Sequence, residues 1–103
     1  MPGRGERRVS VLMFGNRYKL DLVAALAEAG DGGVSMSKLA EEHQVAASVY
    51  YAPLTDLLEA GLVVRMDPVP GDRRRWYARS GARAWGSLRA LAHDLAELDK
   101  GRP

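Results

Sequence analysis

The stretch SKLAEEHQVAASVYYAPLTDLLEAGLV, residues 37–63, predicts two helices separated by a tight turn. Ser37 is a candidate N-cap for the first helix, because a serine side chain accepts from the free N–H groups of a first turn. Its apolar residues share one face at helical spacing, and the second helix, over about 48–60, points Leu54, Leu57 and Leu58 inward. Gly61 ends that helix. The start of the second helix is therefore expected to face outward.

Three residues in this stretch are unusual. Gln44 lies in the turn, and a residue with a side chain adopts a left-handed backbone poorly, so we expect a turn built differently from a glycine turn. Pro53 lies within the second helix, where proline is tolerated only near the start, and it predicts a late or tight first turn. The second helix has no Lys or Arg and contains Asp56.

The flanking sequence completes a mainly helical pattern with a small β-hairpin, about five helices in all. Helices are expected over 9–14, over 17–29 and from a cap at Ser80 to about 99, with a very short strand at 34–36. The runs LVVRMD and RRRWYARS, joined by the turn PVPGD, predict the hairpin. Residues 1–8 are expected to form a flexible basic arm, residues 9–99 one domain and residues 100–103 a tail.

Charge is unevenly distributed along the 103 residues, although the net charge is only +2. Residues 1–20 carry five basic groups against one acid, residues 21–64 carry one against seven, and residues 65–103 carry nine against five. A polyanion is therefore expected to be held mainly by the two ends of the chain.

Composition excludes several classes of site. With no cysteine, the chain has no disulfide, thiolate metal site or Cys nucleophile. His43 and His93 lack partners at a metal-ligand spacing, and no catalytic constellation is present, so neither a metal, a cofactor nor an enzyme activity is expected. His43 is expected to be a hydrogen-bonded, part-buried residue. No apolar run or signal pattern indicates a membrane or secretion, so a cytoplasmic, nucleoid-associated location is expected.

The residues resemble a family of regulators. VLMFGNRYKLDLVAAL resembles the opening helices of ArsR-type bacterial repressors, and residues 37–63 are similar to the helix-turn-helix of ArsR, MarR and PadR-type regulators. The run LTDLLEAGLV matches a common close of the second helix, and RRRWYARSGARAW looks like a returning wing strand, with Tyr77 and Gly81 where such families carry Tyr and Gly. The resemblance implies a winged helix-turn-helix, ArsR-like with MarR-like and PadR-like as alternatives, and a homodimeric, sequence-specific repressor of transcription.

In that fold the second helix of the pair enters the major groove of duplex DNA. Its outward residues are small, apolar or hydroxyl-bearing, so base contacts are expected to favour thymine-containing sites. The hairpin arginines are expected to bind phosphate or the minor groove, and Arg17 and Lys19 to contact phosphate beside the reading helix. The candidate DNA-binding residues are Arg17, Lys38, Ser48, Val49, Tyr51, Ala52, Arg65, Arg73, Arg74 and Arg75.

The last helix carries an apolar seam about two heptads long, which suits one wall of a dimer interface. The candidate interface residues are Val9, Leu12, Met13, Trp85, Leu88, Leu91, Leu95 and Leu98. The alternative is a seam that packs on the core of its own chain.

Two other functions stay open. The acidic middle block favours a protein-interaction module that keeps the fold but does not read DNA, such as an anti-repressor or a partner of RNA polymerase. A small-molecule effector bound among the aromatic residues at the dimer seam is the other alternative. Either Tyr50 or Tyr51 is expected to belong to the core.

Overall fold

The computed structural model describes residues 15–100, and the side chains of residues 15–98. The elements in chain order are α1 (Lys19–Ala29), a 3-10 turn (Gly30–Gly32), β1 (Val34–Ser35), α2 (Met36–His43), a 3-10 turn (Ala47–Tyr50), α3 (Tyr51–Glu59), β2 (Val63–Arg65), β3 (Trp76–Arg79) and α4 (Ala84–Lys100). The predicted fold class, mainly helical with a small β-hairpin, is confirmed. The described residues contain four α-helices, because the helix expected over 9–14 lies outside them.

The three strands form an antiparallel sheet in the order β1-β3-β2. Val34 pairs with Tyr77, and Val64 pairs with Ala78. The hairpin strands are shorter than the strand-like runs predicted, because Pro68 and Pro70 lack the N–H that a ladder requires. The run of arginines at 73–75 therefore lies in the hairpin tip and not on a strand.

The core lies between the helices and one face of the sheet. It combines Leu20, Leu22 and Leu26 of α1, Leu39 of α2, Leu54 and Leu57 of α3, Val63 and Tyr77 of the sheet, and Trp85, Ala92 and Leu95 of α4. The indole N–H of Trp85 donates to the backbone oxygen of Leu62 at 2.7 Å. This bond fixes α4 against the base of the hairpin.

The turn after α2 contradicts the expectation for Gln44, which adopts the left-handed conformation with φ 56°. The Gln44 N–H reaches the oxygens of Ala40 and Glu41, and the Val45 N–H bonds the Ala40 oxygen at 3.0 Å. These bonds satisfy the last carbonyls of α2 and offset the cost of the left-handed backbone.

Two predicted caps are also displaced. The N-cap of α2 is Ser35, whose Oγ accepts from the Lys38 N–H at 3.4 Å, and Ser37 contacts only the Ser35 hydroxyl. Ser80 does not cap α4, which begins at Ala84; its Oγ accepts from the Ala82 N–H instead. The helix α2 therefore begins before the residue that a cap at Ser37 would give. The helix α4 begins after the residue that a cap at Ser80 would give.

The approach to α3 confirms the prediction made from Pro53. The chain winds first as a 3-10 turn and becomes α-helical only at Tyr51, so that Pro53 is the third residue of the helix. The N–H groups of a first turn have no partner within the helix, so the missing N–H of proline costs nothing there.

Candidate nucleic-acid interface

The helix α3 and the hairpin tip face each other across a groove of about 460 Å³, called here the arginine groove. Tyr51 and Thr55 line it from the helix, and the hairpin contributes Arg65, Arg73, Arg74 and Arg75. Its other lining residues are Ser35, Met36, Ser37, Leu54, Leu58 and Tyr77. Among the described residues, no carboxylate lines this groove. The fold thus places the arginines beside the exposed face of α3.

The start of α3 and the turn before it carry three exposed residues of the prediction. Ser48 of the turn and Tyr51 and Ala52 of α3 are exposed, and Tyr51 keeps 56% of its surface accessible. Val49 differs from the prediction, because it lies in the 3-10 turn and packs against the core. Thr55 was not predicted, although its spacing of one helical turn from Tyr51 could have indicated it. Its Oγ1 donates to the Tyr51 oxygen at 2.9 Å.

Asp56, one of the two acids on α3, has a partner. Lys19 of α1 places its Nζ 2.8 Å from Asp56 Oδ2. Exposed ion pairs contribute little to stability, but this one neutralises the Asp56 carboxylate. Lys19, which was predicted to contact phosphate, pairs with Asp56, and Arg17, predicted to do the same, is exposed.

The other acids of the middle block lie away from the lining of the arginine groove. Asp21 is buried within the chain. Glu28 and Glu42 line a separate groove, and Asp31, Glu41 and Glu59 are exposed without lining either. The carboxylates of residues 21–64 are therefore not among the residues that line the arginine groove.

Asp72 orders the hairpin tip. Its Oδ1 accepts from the backbone N–H of Arg74, and its Oδ2 accepts from the indole N–H of Trp76, both at 2.9 Å. These two hydrogen bonds, the Arg74 one foremost, lower the pKa of Asp72 below its ordinary value. The carboxylate thus holds the Arg74 backbone and the Trp76 ring, and these two bonds order the segment that carries the exposed residues Arg73, Arg74 and Arg75.

Lys38 takes a different position from the one predicted. It is exposed on α2, with its Nζ 5.8 Å from the centroid of the Trp76 ring. It lines the separate groove and not the arginine groove. A cation over the face of an aromatic ring is an attractive arrangement, and this contact links α2 to the hairpin.

A buried polar cluster connects α1 and α2 to the turn that leads into α3. The Tyr50 hydroxyl donates to Asp21 Oδ2 at 2.5 Å, and His43 Nδ1 lies 3.0 Å from each of those atoms. Tyr50 is fully buried, which confirms that one of the two tyrosines belongs to the core, and His43 is part-buried and hydrogen-bonded, as predicted. Asp21 was missed, because an acid in the first turn of a helix is normally exposed.

The apolar seam of α4 divides into two groups. Trp85 and Leu95 are buried in the core of their own chain, and Leu88 is half-buried against it, as the alternative for the seam expected. These three were predicted as dimer contacts, but their side chains face inward. Leu91 and Leu98 are exposed, by 39% and 61%. Val9, Leu12 and Met13 lie outside the described residues.

Two further kinds of site concern metal ions and membranes. Among residues 15–98, no group of three His, Asp or Glu side chains is placed to hold a metal ion. No helix that the structure describes is both long and apolar enough to cross a membrane.

Comparison with known proteins identifies the fold. No family model and no curated protein matches the chain. A mutant of S. aureus MepR, solved bound to an oligodeoxyribonucleotide, is similar with a TM-score of 0.64 and 12% identity over 92% of this chain and 67% of MepR. NadR in complex with 4-hydroxyphenylacetate gives 0.60 and 21% identity over 92% of this chain and 64% of NadR.

Both neighbours are MarR-family winged-helix regulators, so they do not support the ArsR-like choice over the MarR-like one. The chain spans about two thirds of the length of each. At these identities the likeness concerns the architecture, and the chain has a winged helix-turn-helix fold.

Proposed function

We propose that the chain binds double-stranded DNA as a homodimer and regulates transcription as a repressor in the cytoplasm. The observation that carries this proposal is the arginine groove, where four arginines and the exposed residues Tyr51 and Thr55 converge without a carboxylate. MepR, which shares the fold, was solved with an oligodeoxyribonucleotide, and this supports the same class of ligand here.

The reading helix supplies shape and methyl contacts in this proposal. Ser48 in the turn before the helix and Ala52 on the helix are both exposed, and there a hydroxyl bonds base edges and a methyl group contacts the thymine methyl. Thr55 offers both groups, and the Tyr51 hydroxyl reaches phosphate or a base edge. These contacts therefore discriminate only weakly between base sequences, and most of the affinity for DNA comes from the hairpin.

The hairpin supplies the electrostatic attraction. Arg73, Arg74 and Arg75 are exposed at a tip that Asp72 holds in place, and Arg65 lies at the end of β2. Guanidinium groups in this position bind flanking phosphates or enter a narrow minor groove. Such contacts release counterions, so the affinity depends strongly on salt.

A salt titration tests the proposal. The affinity for promoter-derived and random duplexes is measured between ~50 and ~200 mM salt for the wild type and for the triple variant Arg73→Ala/Arg74→Ala/Arg75→Ala. The variant should bind all sequences more weakly. The magnitude of the slope of log affinity against log salt should fall by about 0.9 for each phosphate that the variant no longer neutralises. For three arginines, the total change in slope should be roughly 2–3 per protomer.

The double variant Arg83→Ala/Arg89→Ala is the matched control, because both residues are exposed near or on α4 and neither lines the arginine groove. It should keep the slope of the wild type. An unchanged slope in the triple variant would contradict the assignment of the hairpin.

A protein-interaction module is the second candidate. The observation that favours it is the pair of exposed apolar residues on the hairpin, Val64 and Val69, which are 48% and 52% accessible. Such residues suit a protein partner better than a phosphate backbone. A mobility-shift assay on the upstream region of the gene at moderate salt separates the two functions, because only a DNA-binding protein retards that duplex.

A further inference from the structure

The separate groove, of about 550 Å³, lies between α1, α2 and the Trp76 ring and is called here the α1–α2 groove. Its walls are apolar at Ala24, Ala25 and Leu39 and aromatic at Trp76. Three carboxylates, those of Asp21, Glu28 and Glu42, line it together with Lys38 and His43. Its volume falls within the roughly 300–1,000 Å³ typical of small-molecule pockets.

Asp21 and His43 each keep one polar atom at this groove that no described residue hydrogen-bonds. Asp21 is only 5% exposed, and both of its hydrogen bonds reach Oδ2. Within residues 15–98, nothing bonds Asp21 Oδ1 or His43 Nε2. Buried polar atoms normally have a partner, so Asp21 Oδ1 indicates a ligand or solvent in the groove.

The hydrogen-bond pattern fixes what these atoms offer. A carboxylate only accepts, so the contact between His43 Nδ1 and Asp21 Oδ2 places a proton on Nδ1. The groove therefore offers acceptors from Asp21, Glu28 and Glu42, and its carboxylates outnumber its one lysine.

We propose that the α1–α2 groove binds an organic cation, namely a protonated amine attached to a flat apolar ring. The ammonium group donates to the carboxylates, and the ring packs on Trp76 and the two alanines. Trp76 already has the Lys38 ammonium 5.8 Å from its centroid, so this ring is placed to attract a cation. An anion of the same shape meets three carboxylates and is rejected.

The groove also touches the DNA-reading machinery, a step that rests on the proposed function. Trp76 follows Arg75 directly, and its indole N–H bonds Asp72 at the hairpin tip. Lys38 and Glu42 belong to α2, the first helix of the reading pair. A ligand that packs on Trp76 and bonds Glu42 contacts both parts at once, so its occupancy changes the affinity of the chain for DNA.

Calorimetric titration of the full chain with tryptamine tests the binding step directly. Indole-3-acetate is the matched comparison, because it has the same ring and the opposite charge. Tryptamine should bind, and indole-3-acetate should bind at least about tenfold more weakly. The absence of measurable tryptamine binding, or equal affinity for the two compounds, overturns the proposal.

Neighbouring glutamates provide the variant and its control. Glu28→Gln/Glu42→Gln should weaken tryptamine binding by about tenfold or more, since charge-assisted hydrogen bonds are stronger than neutral ones. Glu41→Gln should leave it unchanged, because Glu41 is exposed beside Glu42 but does not line the groove. An equal loss in both variants overturns the assignment to this groove.

A DNA titration with and without saturating tryptamine tests the coupling. A shift in DNA affinity that Glu28→Gln/Glu42→Gln abolishes supports it, and an unchanged affinity refutes it. If the chain fails to bind DNA at all, the proposed function fails, whereas the calorimetric result still decides whether the groove binds a cation.

Discussion

Among the described residues, the Tyr50 hydroxyl and His43 hydrogen-bond Oδ2 of the buried Asp21 carboxylate. Tyr50→Phe removes one of these donors, so the free energy of unfolding should fall by about 1–3 kcal/mol. Urea denaturation measures the change. Tyr51→Phe is the control at the next residue, since Tyr51 is 56% exposed, and it should change stability by less than about 0.5 kcal/mol. Equal effects from the two substitutions would contradict a structural role for the cluster.

Gly33 is required where β1 approaches β3. Its φ is 77° and ψ 176°, a region that essentially only glycine occupies. A Cβ there would lie 2.8 Å from the Tyr77 oxygen and closer still to Met66 Sδ. Gly33→Ala should therefore lower the free energy of unfolding by at least about 1–3 kcal/mol.

Gly32→Ala is the control for this position, because a Cβ at Gly32 meets no heavy atom within 4 Å and its φ is not positive. Thermal unfolding of both variants decides the comparison. If the two substitutions change the thermal stability equally, the close approach of β1 and β3 at Gly33 is contradicted.

Among the elements, the hairpin tip should respond to acid through Asp72. Because folding lowers its pKa, the bonds of Asp72 stabilise the tip at pH above the ordinary value of 3.8 and are lost as the pH falls below it, through the lowered pKa. In a nuclear magnetic resonance titration, the indole N–H signal of Trp76 should move over that acidic range.

Trp85 provides an internal control for this titration, since its indole N–H bonds a backbone oxygen that does not titrate. The Trp85 signal should stay in place while the Trp76 signal moves, and Asp72→Asn should remove the movement. Signals that move together would indicate global unfolding in place of a local change at the tip.

The same elements show how far the sequence could be interpreted. Pro53 correctly predicted the tight start of the reading helix, because the geometry of proline is local. Gln44 was misjudged, because the bonds to the Ala40 and Glu41 oxygens that offset its left-handed backbone depend on how α2 ends. Asp21 was missed for a related reason: its partners lie 22 and 29 residues away, and no local pattern announces them.

For the whole molecule, the sum of charge along the sequence was a poor guide to charge in space. The acidic block of residues 21–64 argued against DNA binding, yet Asp21 is buried, Asp56 is paired with Lys19, and Glu28 and Glu42 line the α1–α2 groove. The fold thus separates a basic surface from an acidic one. The arginines could be selected from the sequence, but the groove that unites them with Tyr51 depends on the tertiary arrangement.

The proposed dimer gives the last prediction, which concerns the exposed leucines of α4. Leu91 and Leu98 lie one heptad apart and are both accessible, so a second copy of the chain can cover them. Leu98→Glu places a charge in that interface and should produce a monomer in sedimentation equilibrium. Ala90→Glu adds the same charge at an exposed position off the leucine stripe and should leave the dimer intact.

Disruption of the dimer should also weaken DNA binding, because two linked reading helices bind successive grooves ~34–36 Å apart far more tightly than one. The Leu98→Glu variant should therefore lose affinity for a two-half-site duplex but keep that for a single half-site. A wild-type chain that sediments as a monomer, or a Leu98→Glu variant that remains a dimer, would show that these leucines do not form the interface. The arginine groove would then have to bind DNA without a dimer through these leucines.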